Sequence, residues 1–244
     1  MKRIAITIEY NGSNYLGWQK NGDSKSIERE IEIAFESIVN QPTHVVASGR
    51  TDAGVHAYRQ VAHVDLPDEI NVKNLHKRIN EILPNDIKIV AIKEVSANFH
   101  ARYNGKSKTY LYKCYTRAVQ SPLRDEYYAW VNSVLNLQKI KECALLFLGK
   151  HNFKAFCSSG GDSESFDREI ISIDVVRRGD ELLFYVKGKG FLYNMVRLIV
   201  GSLIRAGEGK LSKEQILNAL QTGEKTNLGE KMPANGLYLY QVEY

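Results

Sequence analysis

What most constrains this chain is the order in which two hydrophobic periods alternate along it. Ile4, Ile6, Ile8 and Tyr10 alternate with Arg3, Ala5, Thr7 and Glu9, the period-two pattern of a half-buried strand. Ser26 then caps a segment in which Ile27, Ile31, Phe35 and Ile38 recur every three to four positions, an amphipathic helix whose end is marked by Pro42. Short strands at 45–47 and 61–66 follow. Next comes a helix capped by Asn71, carrying Leu75, Ile79 and Ile82 and stopped at Pro84, and then a strand at 87–95. The order is βαββαβ.

The second half repeats that order. A strand at 109–115 leads to a helix at 137–148 stopped by Gly149, and strands at 170–176 and 182–186 flank an Arg-Arg-Gly-Asp turn. A helical pattern at 191–206, a helix opened by a Ser212/Gln215 capping box and ending near Gly223, and a last strand at 237–242 complete it. The expected fold is therefore α+β: two ferredoxin- or RRM-like βαββαβ units, one extra helix in the second, with a mostly antiparallel sheet and helices on one face. The expected boundary lies near 97–106, giving domains 1–100 and 101–244 with a cleft between the halves. The uncovered sheet face is where RNA-recognition modules stack bases on aromatic side chains.

The charge distribution agrees with a polyanionic partner. The formal net charge of the 244 residues is only +5, but 99–117 contains Arg102, Lys106, Lys108, Lys113 and Arg117 and no acid. Tyr103, Tyr110, Tyr112 and Tyr115 are interleaved with them, and 186–207 is a second acid-free stretch. Three cysteines without a C-x-x-C pair fit a reducing compartment. The chain opens on a strand pattern and has no apolar run of membrane-spanning length, so a cytoplasmic protein without membrane association is expected. His44, His56, His63, His76, His100 and His151 lack metal-ligand spacing, and no metal is expected. No P-loop, G-x-G-x-x-G or G-x-S-x-G is present, and Cys157 has no recognisable catalytic partner.

Three places remain for chemistry. In Ser-Gly-Arg-Thr-Asp-Ala-Gly-Val-His-Ala (48–57), Asp52 stands between Gly49 and Gly54 and two residues from Arg50, so the segment reads either as a polar turn or as a shaped loop presenting a carboxylate. The helical pattern at 191–204 is apolar nearly all round, with Arg197 in its middle. A buried guanidinium is costly without an anion, so Arg197 either meets an acid, for which Asp52 is the residue singled out, or extends to water. On the strand from 109, Tyr110 and Tyr112 share one face, as ordinary strand aromatics or as a base-contacting pair.

Gly49-Arg-Thr-Asp-Ala-Gly-Val-His-Ala57 resembles the catalytic motif of the TruA family of tRNA pseudouridine synthases. Other segments resemble the family's motifs in the same order along nearly the whole chain. They are Tyr10-x-Gly12-x-x-Tyr15-x-Gly17-Trp18-Gln19, Leu83-Pro84-x-Asp86-Ile87, Phe99-His100-Ala101-Arg102, Lys108-Thr109-Tyr110-x-Tyr112, Asn194-Met195-Val196-Arg197-x-Ile199-Val200-Gly201 and Pro233-Ala234-x-Gly236-Leu237-Tyr238-Leu239. The resemblance implies the pseudouridine synthase fold and an enzyme that isomerises uridine to pseudouridine at positions 38, 39 and 40 of the tRNA anticodon arm. It implies no cofactor and a homodimer. It assigns Asp52 as nucleophile, Tyr110 to the target uracil, Arg197 as the partner of Asp52, Arg50 to the flipped nucleotide and Leu237 to the apolar packing of the site. Ser26-Ile27-Glu28 and Asp167-Arg168 depart from the common family sequence, which keeps a paralogue with other target uridines as an alternative beside a non-catalytic RNA-binding module.

Overall fold

The computed structural model describes residues 1–22, 24–160, 164–225 and 227–244. It divides into two compact units, one of Met1–Lys106 together with Tyr238–Tyr244 and one of Ser107–Leu237.

The first unit is built on β1 (Lys2–Tyr10), α1 (Ile27–Val39), β2 (Val45–Ala47), β3 (His56–Leu66), α2 (Val72–Ile82) and β4 (Ile87–Val95). β1 lies antiparallel between β4 and β3, and the alternation of its sequence sends Ile4, Ile6 and Ile8 into the core with no exposed surface. The Ser26 hydroxyl accepts the Arg29 N–H at the start of α1, and Asn71 does the same for Lys73 at the start of α2. β2 pairs with β3 at residues 62–64. The remaining length of that edge receives the closing strand, β10 (Leu237–Glu243), which runs parallel to β3 with Tyr238 opposite His56 and Leu239 opposite Ala57.

The second unit contains β5 (Ser107–Thr116), β6 (Ala129–Val131), α3 (Leu137–Ala144), β7 (Gly149–Asn152), β8 (Asp167–Arg178), β9 (Glu181–Gly188), α4 (Met195–Gly207) and α5 (Lys213–Thr222). Its strands run in the order β5–β9–β8–β7, all antiparallel, with β6 parallel to the end of β5. Of the residues of α4, all but Leu198 and Arg205 are buried, which is why its sequence has no polar face.

The fold is α+β with a mostly antiparallel arrangement of strands, as the periodicities predict, and it differs from them locally. β6 and β7 are additional strands, and the helix expected at 137–148 is α-helical only to Ala144 before a 3₁₀ turn at Leu145–Phe147. α4 begins at Met195 rather than 191, because Asn194 takes a left-handed conformation at φ 60°. Residues 238–244, read from the sequence with the second half, cluster instead with the first unit, where Tyr238 and Leu239 pair with the edge of β3. Among the described residues no helix is long and apolar enough to cross a membrane, and no group of three or more His, Cys, Asp or Glu is placed to hold a metal ion.

Candidate active site

Asp52 opens a tight turn closed by the Val55 N–H, which donates to the Asp52 carbonyl at 3.1 Å. Gly54, at the tip, has φ 75°, a region that side-chain-bearing residues rarely adopt. The segment that seats this turn is the chain's opening, residues 10–18. The Trp18 N–H donates to the Thr51 carbonyl at 2.9 Å, the Gly54 N–H donates to the Tyr15 carbonyl at 3.3 Å, and the Tyr10 and Thr51 hydroxyls lie 2.7 Å apart. Burial pushes the Tyr10 phenol far above its ordinary range, so this contact stays between neutral groups. The two segments approach so closely that side chains are excluded between them. A Cβ on Gly12 would stand 2.0 Å from the Val55 carbonyl oxygen, and one on Gly17 would stand 2.6 Å from that of Thr51.

From the β3 side the buried Gln60 accepts the Ser48 hydroxyl at 2.7 Å and donates to the Gly49 carbonyl at 2.9 Å. His56 accepts the Gly12 N–H on Nδ1 at 3.1 Å and stacks on Tyr238, so it is part of the seat. These bonds hold the backbone on both sides of Asp52, whose side chain is half-buried, while Arg50 is exposed.

Arg197 is the third residue of α4 and is buried. Its Nε donates to the Met232 carbonyl at 2.6 Å and its Nη1 to the Asn194 side-chain oxygen at 2.7 Å. The Met232 N–H returns a bond to the Arg197 carbonyl at 3.3 Å. The segment that carries Met232 reaches α4 through glycines. A Cβ on Gly201 would lie 1.9 Å from the Glu230 carbonyl oxygen, and one on Gly229 would lie 2.1 Å from the Gly201 carbonyl carbon. Neutral oxygens therefore accept from two of the guanidinium nitrogens. A charged donor on a neutral acceptor makes a strong bond, so burial of this cation is stabilised in part within its own unit.

The aromatic strand is corrected at one position. Tyr110 is half-buried with its ring edge-on to Phe191 at 4.9 Å between centroids. Tyr112 is fully buried and donates its hydroxyl to the Pro233 carbonyl at 2.7 Å, and Gly236 packs so closely on its ring that a Cβ would come within 2.7 Å. It is a core residue, because β5 is covered on both faces from Leu111 to Tyr115 and alternation no longer sorts inside from outside. Lys113 is also withdrawn from water, its ammonium 4.6 Å from the centre of the Tyr128 ring, and burial lowers its pKa to about 8 against the pull of Glu181. Arg102, Lys106 and Arg117 are exposed, whereas Lys108 is half-buried. Leu237 is buried at the start of β10.

The family described as tRNA pseudouridine synthase matches residues 6–104 and 143–244, which hold the Asp52 turn and the Arg197 helix. The chain belongs to the tRNA pseudouridine synthase family. A Bacillus anthracis protein named tRNA pseudouridine synthase A 2 is 38% identical over 245 residues, and its namesake from Clostridium perfringens is 39% identical over 244 residues. A Ruminiclostridium cellulolyticum protein named tRNA pseudouridine synthase A is 39% identical over 245 residues. In each comparison 100% of this chain and 100% of the relative are covered. As a tRNA pseudouridine synthase the chain is an isomerase that converts uridine to pseudouridine in tRNA.

In this pseudouridine synthase the separate motifs turn out to be complementary pieces. The Tyr10–Trp18 motif is the seat of the Asp52 turn, and the segment that runs into the Pro233–Leu239 motif is the seat of the Arg197 helix. Sequence reasoning missed Asn194, whose oxygen faces the guanidinium. It also missed Thr51 and Gln60, which hold the turn from either side. Asn194 carried a usable signal: an asparagine three residues before a buried arginine, at a helix start where asparagine readily adopts positive φ. The Met232 carbonyl carried none, since a backbone acceptor 35 residues away leaves no mark on sequence.

Proposed function

We propose that this pseudouridine synthase acts on uridines 38, 39 and 40 of the tRNA anticodon arm, with Asp52 as nucleophile and Arg197 as the cation that keeps it ionised. The carrying observation is the Asp52 turn, a half-buried carboxylate on a backbone fixed from both sides by buried groups. The target uridine must first leave its stack, which costs a few kcal/mol and least in a loop. The Asp52 carboxylate then forms a bond to the nucleotide, at C6 of the uracil or at C1′ of the ribose. The N1–C1′ bond breaks, the uracil turns, C5 bonds to C1′, and the carboxylate is released. C5 gives up its proton and N1 gains one, so the product is an isomer and no external co-reactant is consumed.

Within this reading Tyr110 takes the uracil ring, Leu237 supplies the apolar wall, and the exposed guanidinium of Arg50 holds the displaced backbone. The exposed Arg102, Lys106 and Arg117 contact phosphates. The turn that carries Asp52 belongs to the unit of Met1–Lys106 with Tyr238–Tyr244, and Tyr110 and Arg197 to the unit of Ser107–Leu237. The enzyme works as a cytoplasmic homodimer, a reading supported by the resemblance of its motifs to the TruA family. A second reading, a paralogue directed at other uridines, rests on the departures from the common family sequence at Ser26-Ile27-Glu28 and Asp167-Arg168.

Mapping pseudouridine in unmodified tRNA transcripts treated with the purified protein tests the proposal. Pseudouridine at 38–40 supports it. Pseudouridine elsewhere selects the paralogue, while released uracil or unchanged RNA overturns the catalytic reading.

A further inference from the structure

We infer that Asn194 is a positioning residue for catalysis, acting through Arg197: it fixes the direction of the guanidinium by giving up the helix-capping role its position would ordinarily have. This inference rests on the reading that Arg197 serves the Asp52 carboxylate.

Asn194 stands immediately before α4, the place at which an asparagine oxygen normally accepts a backbone N–H of the first turn. It makes no such bond. Its oxygen is turned instead onto the side chain of the third helical residue, accepting from Arg197 Nη1 at 2.7 Å. The exchange depends on the backbone. At φ 60° Asn194 is held in the left-handed region, which carries its side chain away from the amides of the first turn. Its own amide is anchored in turn, since Nδ2 donates to the Ser158 hydroxyl at 3.1 Å. With both ends of the amide engaged the residue cannot rotate without losing a bond.

Nε and Nη1 are thus held by acceptors from two separate parts of the chain, Met232 and Asn194. Two directed bonds on a planar group fix both its place and its plane, which one bond does not. A broken capping rule together with positive φ on a buried non-glycine residue is the kind of local conflict that folded chains retain where function requires it. The helix itself gains nothing from this arrangement. Its first carbonyl bond, from Leu198 N–H to the Asn194 carbonyl at 3.1 Å, forms without any help from the side chain.

Asn194→Gly and Asn194→Ala separate the two things Asn194 does, because glycine retains the left-handed backbone and alanine does not. Each is compared with wild type and with Arg197→Met in steady-state pseudouridine formation on tRNA and in thermal unfolding. We expect both Asn194 variants to lose about 100-fold in kcat, the scale of a misdirected catalytic group, with KM unchanged. Both should lower the thermal midpoint through the lost Arg197 and Ser158 bonds, and Asn194→Ala should lower it further because it also disfavours the left-handed backbone. The double variant Arg197→Met/Asn194→Gly should be no slower than Arg197→Met alone. Wild-type kcat in Asn194→Gly, beside an impaired Arg197→Met, overturns the positioning role and leaves Asn194 a backbone feature. A double variant slower than Arg197→Met shows that Asn194 acts otherwise than through Arg197, and also overturns it. Wild-type kcat in Arg197→Met sinks the reading on which the inference stands, and is recognisable as that failure.

Discussion

The turn that carries Asp52 is gripped through its neighbours' backbone and through Thr51, whereas Arg197 is gripped by its own nitrogens. The bonds described around Asp52 fix where the Cα sits and which way the side chain leaves. Those around Arg197 fix the charged group itself. The difference matches the proposed roles. A nucleophile has to move from one bonding partner to another within a turnover, so its support is best placed behind it. A cation that only polarises is most effective when it does not reorganise, since electrostatic stabilisation in a preorganised site costs nothing at the moment of reaction. Both seats rely on glycine at the point of closest approach, Gly12 for the turn and Gly201 for the helix.

The sharpest way to break this contrast is to remove the carboxylate. Asp52→Ala is expected to abolish pseudouridine formation while tRNA affinity stays within about tenfold of wild type, because affinity comes mainly from phosphate contacts spread over the surface. Residual product above background in a single-turnover assay would remove Asp52 as nucleophile.

Arg197→Met comes next. It should slow catalysis by about 100- to 1000-fold, the usual cost of one preorganised electrostatic partner. It should also lower the unfolding free energy by about 2 kcal/mol, since the Met232 and Asn194 oxygens lose a charged donor and methionine offers none. Urea denaturation measures the second effect, and an unchanged midpoint would mean that these two bonds do not stabilise the fold. The smallest effects on kcat separate the two seats directly. Gly12→Ala and Gly201→Ala each place a methyl group against a carbonyl oxygen and should cost about 1–3 kcal/mol of stability. Per folded molecule, Gly12→Ala should lower kcat more, because its clash falls on Val55 inside the catalytic turn. The Gly201→Ala clash falls on Glu230, two residues from the Arg197 acceptor. The reverse ranking would contradict the contrast.

β1 was legible from sequence because it has one buried face. The alternation through Ile4, Ile6 and Ile8 maps directly onto side chains with no exposure. β5 was legible as a strand but not in its facing: it is buried on both sides, so Tyr110 and Tyr112 read as equivalent although only Tyr110 keeps an open edge. β7 was missed because Gly149, Lys150, His151 and Asn152 offer no apolar alternation, and it exists only through pairing with β8. In the site, the Asp52 turn could be recognised from its glycines, whose need is local. The acceptors of Arg197 could not all be anticipated. The burial of a charge can be inferred from the apolar residues around it, but the oxygen that accepts from it comes from wherever the fold brings one.

The parallel pairing of β10 with β3 has a consequence for how the protein is made. Residues 1–106 leave the ribosome first, yet the edge of β3 at His56, immediately beyond the Asp52 turn, receives its neighbour only when 238–244 have been synthesised. All of the second unit is translated in the interval. During that time the strand that continues from the Asp52 turn has an unpaired edge at His56 and Ala57, the kind of surface through which nascent chains pair wrongly. Tyr238, stacked on both His56 and Tyr58, then completes the unit, and Tyr244 fastens to the Ala101 carbonyl at 2.8 Å. The strand beside the Asp52 turn is thus assembled last, so a chain released before residue 238 lacks part of the support of that turn, however well its second unit has folded.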